Sequence, residues 1–439
     1  MASFLKKTGL NRTGPIIILI LLFLLLTAAF LMRKDCFYGC AFFRDEPGTE
    51  QLSLNSVSEY IWGTDDGRRP VEINSLFYYK FILYPWKEWR NSLGDITVTG
   101  YRGSSLWGAL IGLGVVFLVG AKSHNKWIGL LAVSLLTVNA CHKTFSVYMR
   151  YHIYSLLFAG WSVLAFWRLL KKPNPGNWLY YNLLAVINIY VSLNNITLLP
   201  AQWLVMAAYL RREYGSPKLW PSSCKTGLAL SALTALLAFL PMPFYDSGAL
   251  GRMDHYAPLG WPLYLNLYAS FVGIKQELAS PEGLFCLLSV GFFLAVGIKG
   301  AFDSFRREGR PEALTLAAWL AVPLLLHLLI SAFVHPIMIT RNLIFLMIPF
   351  AVLTAAGIRS CAEGRAGAIA VTAVWALLIP LMLHQCNHTV YYDWDAVEPD
   401  KFFLSERQEC CEMPGDHLKH QNNDFYSLLK EKIREIRSR

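Results

Sequence analysis

The sequence has 439 residues, of which 54% are hydrophobic and only 16% are charged. Soluble globular proteins carry about 25% charged residues, so this composition excludes an ordinary soluble protein and indicates a polytopic membrane protein. The formal net charge is +10. It does not indicate a nucleic-acid-binding protein, because the basic residues fall in short clusters between apolar runs and no RNA- or DNA-binding motif occurs.

Apolar runs long enough to cross a bilayer recur along the chain, and about eleven pass the usual window criterion. We interpret the first run as a retained anchor, because it is long for the apolar part of a signal peptide and lacks a small-x-small cleavage site. The predicted spans lie near residues 15–32, 104–121, 126–142, 147–169, 177–193, 196–210, 226–244, 282–301, 313–334, 339–358 and 367–384.

Basic residues occur at alternate turns between these spans, which is the arrangement that the positive-inside rule produces. With a cytoplasmic N-terminus, the first long loop (33–103) and a second long loop (245–281) face the extracytoplasmic side. We therefore predict a transmembrane domain over 1–384 and a small extracytoplasmic tail over 385–439. The basic amphipathic pattern of 426–439 would also suit an inner leaflet.

The cysteines predict a disulfide or free thiols rather than a metal site. Cys36 and Cys40 have the spacing of zinc ligands, but no second pair with suitable spacing and no histidine cluster follows them. Asn195 and Asn387 each begin a glycosylation sequon in a segment assigned outside. The cysteines predicted to lie outside are Cys36, Cys40, Cys386, Cys410 and Cys411.

The strongest catalytic candidates are Asp45 and Glu46, which stand side by side shortly after the first span. Carboxylates this close to a membrane face are rare without a task or a partner. Asp45 could accept the proton of an acceptor hydroxyl that attacks an activated carbon. Alternatively, it could pair with Arg44 or cap a short helix. Adjacent side chains point in different directions, so Glu46 is not expected to act as an equal partner.

Basic residues at the ends of spans are candidates to hold a lipid phosphate through charge-assisted hydrogen bonds. The alternative for Arg102, and for Lys143, is that the side chain snorkels towards the membrane interface. Arg150 and Arg341 are harder to explain in that way. The candidate phosphate-binding residues are Lys80, Arg102, Arg150 and Arg341.

Further residues are candidates to line a cavity. An aromatic segment over 76–86 suits the headgroup layer and contains Tyr79. A single histidine near the membrane face is more often structural than catalytic, and acids in an outer loop are commonly solvated. The cavity candidates are Tyr79, His152, Asp254, His255 and His335.

An ordered set of motifs resembles the GT-C membrane glycosyltransferases, in particular the branch of the dolichyl-phosphate-mannose–protein mannosyltransferases and the aminoarabinose–lipid A transferases. Residues 45–49 are similar to the Asp-Glu-x-x-Thr element of that branch, and residues 73–86 are similar to its aromatic segment running to a tryptophan. Asn74-Ser75 replaces a proline pair, and Tyr148 replaces a common glutamate. The further similar segments are Arg102–Ser105, Ser146–Arg150 and Arg341–Pro349.

The resemblance implies an all-α bundle of about eleven transmembrane helices, with interfacial helices in the first outer loop. It implies transfer of a hexosyl or pentosyl group from a polyprenyl-phosphate donor to a hydroxyl of a glycan, lipid or protein. Inversion would occur at the anomeric carbon, with Asp45 as base and no cofactor or metal. The alternatives are a lipid-carrier flippase or transporter, which should show internal pseudo-symmetry, and a catalytically silent relative.

Overall fold

A computed structural model describes residues 14–34, 75–94, 98–239, 259–274, 280–334 and 337–388. Within these ranges all regular structure is helical and no strand occurs, which confirms the predicted all-α class. The α-helices are α1 (Gly14–Lys34), α2 (Tyr84–Ser92), α3 (Val98–Ser123), α4 (Lys126–Thr137), α5 (Ala140–Val147), α6 (His152–Lys171), α7 (Pro175–Val191), α8 (Leu198–Tyr214), α9 (Ser222–Phe239), α10 (Trp261–Val272), α11 (Pro281–Glu308), α12 (Pro311–Phe333), α13 (Met347–Cys361) and α14 (Arg365–His388).

Each predicted span contains helical structure among the described residues, although not every helix is long. By length and composition, seven helices among the described residues could cross a membrane, and eight if the bent pair α4–α5 is a single span. Helices α7 and α8 have 17 residues each, and the apolar part of α9 is similarly short. The protein is therefore a multi-pass membrane protein, while the number of eleven spans stays a prediction.

Helix ends follow the local sequence. Asn125 caps α4, its Oδ1 accepting from the backbone N–H of Trp127 at 3.0 Å and of Ile128 at 3.1 Å. Proline occupies the first turn of several helices, where its missing N–H costs nothing. Gly309 ends α11 with φ of 68°, a conformation that favours glycine. These signals explain where the helices begin and end.

The predicted span 126–142 is broken. Helix α4 ends at Thr137, and α5 begins at Ala140 after a bend of 71°. Asn139 is the N-cap of α5, since its Oδ1 accepts a hydrogen bond from the backbone N–H of His142 at 2.8 Å. Its Nδ2 donates to the Phe271 carbonyl at 2.8 Å. An asparagine cap in mid-span thus converts one predicted helix into two.

Polar contacts join helix ends that the predicted topology places on the same side of the membrane. At the predicted inner end, Lys171 pairs with Glu312 at 2.9 Å. Also there, burial and then the charge of Arg310 lower the pKa of His124 to about 4. At the predicted outer end, Lys143 Nζ donates to the Cys386 carbonyl at 2.6 Å. Which end faces the cytoplasm stays a prediction.

Helices α11 and α13 cross with their backbones in direct contact. A Cβ atom placed on Gly297 would collide with the Leu353 carbonyl, and one placed on Gly357 would collide with the Phe293 carbonyl. Between apolar helices in a membrane, such close approach supplies the packing energy that hydrophobic burial cannot. The pair holds α13 in place, and α13 continues the short 3₁₀ helix Thr340–Leu346 that carries Arg341.

We expect Gly297→Val to destabilise the protein by about 1–3 kcal/mol, because the crossing must separate to admit the side chain. Gly300→Val is the matched control on the same helix, since nothing lies within 4 Å of a Cβ placed at Gly300. Thermal unfolding in detergent measures both variants. Equal melting temperatures for the two variants would contradict this account of the crossing.

Candidate functional site

The candidate site is centred on the turn between α5 and α6. His152 begins α6 and is 1% exposed, and Arg150 in the preceding turn is 8% exposed. Arg341 lies in the 3₁₀ helix Thr340–Leu346, which packs against α6. Residues from separate parts of the sequence thus meet where α6 and the 3₁₀ helix Thr340–Leu346 begin.

The start of α3 packs on this turn. Ser105 Oγ donates to the Tyr148 carbonyl at 2.8 Å, and the Tyr154 hydroxyl donates to the Ser104 carbonyl at 2.8 Å. Arg102, fully buried, lies one helical turn before Ser105 and therefore on the face of α3 that meets the turn. The structure thus gathers predicted phosphate-binding residues from three helix starts at one end of the bundle.

The aromatic segment of the first loop is helical and packs against the same region. A π-helix over Tyr78–Leu83 precedes α2, a helix type found often at functional sites. Tyr79 is fully buried, and the ring of Tyr78 lies 5.4 Å from that of Tyr154. Lys80 lies in the π-helix with its ammonium group 5.2 Å from the centre of the Tyr84 ring.

Trp86 fastens this segment to α3. Its indole N–H donates to the Gly100 carbonyl at 2.9 Å. A Cβ atom on Gly103 would lie 2.8 Å from the Trp86 ring, so glycine leaves the space that the indole fills. The tryptophan that ends the aromatic motif therefore positions Lys80 relative to the start of α3.

A buried arginine forms hydrogen bonds on both sides of the break between α4 and α5. Arg33, at the end of α1, is fully buried. Its Nη1 donates to the Thr137 carbonyl at 3.3 Å, and its Nη2 lies 3.4 Å from the Leu136 carbonyl and 2.9 Å from His142 Nδ1. Its Nε donates to Ser146 Oγ at 3.1 Å. One guanidinium group therefore satisfies the last carbonyls of α4 and anchors α5.

The structures of two classes of transferase have this architecture. The Archaeoglobus fulgidus oligosaccharyltransferase AglB, solved with an inhibitory peptide and a dolichol-phosphate, matches with a TM-score of 0.52 and 12% identity over 95% of this chain and 60% of that chain. ArnT from Cupriavidus metallidurans, bound to undecaprenyl phosphate, matches with a TM-score of 0.51 and 12% identity over 86% of this chain and 75% of that chain. Both neighbours are GT-C proteins.

The chain has the GT-C fold. At these identities the likeness shows the fold alone, and the chain spans about three fifths of the length of the archaeal oligosaccharyltransferase, 59% in its apo form. No family model matches the sequence, and no curated protein matches it.

Within the GT-C fold, only some predicted site residues fall in the described part of the chain. Arg150, Arg341 and His152 are brought together, and Arg102 lies on the adjacent face of α3. The remaining predicted catalytic and cavity residues lie outside the described residues: Asp45, Glu46, Asp254, His255 and His335.

Two sequence interpretations are wrong. Lys143 and Arg102 do not snorkel, since they are 4% and 0% exposed inside the protein. Asn195 is not an available glycosylation site, because it is fully buried. Its Nδ2 donates to Asn188 Oδ1 at 2.7 Å, and its Oδ1 accepts from Ser155 Oγ at 2.7 Å. Cys386 is buried, while the other outer cysteines lie outside the described residues.

Sequence reasoning missed Arg33 as a member of this region. The histidine and serine of α5 at positions 142 and 146 are one turn apart, which places them on one face of a helix. That spacing is the only signal, and it does not point to Arg33 over the neighbouring Lys34.

We expect Arg33→Met to destabilise the protein, because each buried polar group left without its partner costs about 1–3 kcal/mol. Lys34→Met is the matched control, since it removes the same charge one residue later from an exposed side chain. Melting temperatures in detergent compare the two. A loss of stability in Lys34→Met as large as that in Arg33→Met would contradict the role assigned to Arg33.

Proposed function

We propose that the protein is a glycosyltransferase that moves a sugar from a polyprenyl-phosphate carrier to an acceptor hydroxyl at the extracytoplasmic face of the membrane. The observation that carries the proposal is the placement of Arg150 and Arg341 at the starts of two helices that pack against each other in a GT-C bundle. Two solved neighbours with this fold hold a lipid phosphate, dolichol-phosphate in one and undecaprenyl phosphate in the other.

The proposed reaction is an inverting displacement at the anomeric carbon. The acceptor oxygen forms a bond to this carbon while the bond from the carbon to the phosphate oxygen breaks, and the electron pair leaves with the phosphate. Asp45 takes the acceptor proton, a contribution of about 10²–10⁴ in rate for a positioned base. Glu46, its neighbour, is the alternative base.

The departing polyprenyl phosphate gains negative charge, so the basic residues assist most in the transition state. Arg150 and Arg341 hold the phosphate directly in this proposal. Arg102 and Lys80 contribute from the start of α3 and from the π-helix. The scheme needs no cofactor or metal, and the acceptor is a glycan, a lipid or a protein.

We expect Asp45→Asn to lower transfer by about 10²–10⁴ while donor binding is retained, because the carboxamide cannot accept the proton. Glu46→Gln, the matched change at the next residue, should retain most of the activity. The measurement uses purified protein in lipid nanodiscs, radiolabelled polyprenyl-phosphate sugars and a membrane extract as acceptor.

The outcomes separate the alternatives. Loss of transfer in Glu46→Gln but not in Asp45→Asn would identify Glu46 as the base, and the protein would still be a glycosyltransferase. Absence of transfer from every donor, together with movement of the lipid carrier across the bilayer, would overturn the transferase in favour of a flippase. Absence of both activities would favour a catalytically silent relative.

A further inference from the structure

His152 is a polar side chain in an apolar, aromatic surrounding. It is 1% exposed, and its ring is enclosed by aromatic rings of the preceding residues. The ring centres of Tyr151, Phe145 and Tyr148 lie 4.4, 5.2 and 6.0 Å from that of His152. These contacts hold the imidazole plane in place through packing and use none of its polar atoms.

Neither nitrogen of this ring has a hydrogen-bond partner among the described residues. Buried polar atoms are nearly always paired, and each exception calls for an explanation such as a ligand. An imidazole always offers at least one N–H donor, and two when it is protonated. In either state, therefore, His152 has a hydrogen bond to give at a buried position.

The groups around His152 favour a negatively charged ligand as the acceptor of this hydrogen bond. The guanidinium carbon of Arg150 lies 5.9 Å from the centre of the Tyr151 ring, which itself contacts His152, and Arg341 lies in the 3₁₀ helix that packs against α6. His152 is also the first residue of α6, a helix of 20 residues whose N-cap, Tyr151, makes no side-chain capping bond. The N-terminus of a helix carries a partial positive charge and presents free N–H groups, which suits an anion and disfavours a cation.

We propose that His152 binds the phosphate of the lipid-linked donor and of its polyprenyl-phosphate product. The inference rests on the proposed function for the identity of the lipid. The imidazole N–H donates a hydrogen bond to a phosphate oxygen without transferring its proton. This bond supplements the two guanidinium groups with a donor whose direction is fixed by the aromatic enclosure, so His152 orients the phosphate as well as holding it.

The experiment measures binding of undecaprenyl phosphate to the full-length protein in nanodiscs, with undecaprenol as the uncharged analogue. His152→Phe retains a ring for the aromatic contacts and removes both nitrogens. We expect it to weaken undecaprenyl phosphate binding by about 10–100-fold, the size of a hydrogen bond to a charged group. Its affinity for undecaprenol and its melting temperature should stay near those of the wild type.

Two further variants make the test specific. His152→Gln keeps an N–H donor and should recover part of the lost affinity. His327→Phe is the control, because His327 is a fully buried histidine whose Nε2 also has no partner among the described residues. His327 lies in the interior of α12 rather than at the start of a helix, so its replacement should leave undecaprenyl phosphate binding unchanged.

The results that would overturn the inference are distinct from those that would overturn the enzyme. Unchanged undecaprenyl phosphate binding in a stable His152→Phe protein would show that the ring does not meet the phosphate. An equal loss of undecaprenol binding would assign the residue to packing, and inorganic phosphate binding as tightly as the lipid would assign the site to a free anion. Lipid-phosphate binding that depends on His152, without sugar transfer, would retain the site and overturn the transferase.

Discussion

The architecture depends on one constraint, which is that backbone polar groups in an apolar surrounding need partners within the protein. A continuous helix meets it automatically, but the break between α4 and α5 leaves carbonyls and N–H groups without intrahelical partners. Asn139 supplies the acceptor for the new helix start, and Arg33 supplies donors for the old helix end. The turn that leads from α5 to the candidate site exists because these two side chains satisfy the break.

The same constraint explains why the fold could be predicted from the sequence. Long apolar runs, prolines in first turns and basic residues at alternate ends are local signals, and each predicted span contains a helix. The grouping of Arg150 and Arg341 was also predictable in part, since the ordered motifs resemble a family that places basic residues at helix starts. The proximity of Arg341 to His152 needed the structure, because these two residues lie far apart in sequence.

The sequence did not predict which polar residues are buried inside the protein. Arg33 is fully buried and Lys34 is exposed, yet both are cations at the end of the same apolar run. Asn195 begins a glycosylation sequon, but its side-chain amide is already hydrogen-bonded to Ser155 and Asn188. Hydrophobicity along the chain cannot distinguish a side chain that reaches the interface from one that finds a partner on another helix.

The contact between Lys143 and the Cys386 carbonyl bears on the order in which the protein assembles during synthesis. The two residues are 243 positions apart. At typical translation speeds of about 5–20 residues per second, roughly 12–50 s separate the appearance of the ammonium group from that of its acceptor. Helix α5 therefore emerges long before the Cys386 carbonyl is available to Lys143. Protein truncated before the end of α14 would lack that contact permanently, so α5 gains its contact with Cys386 only after α14 has been made.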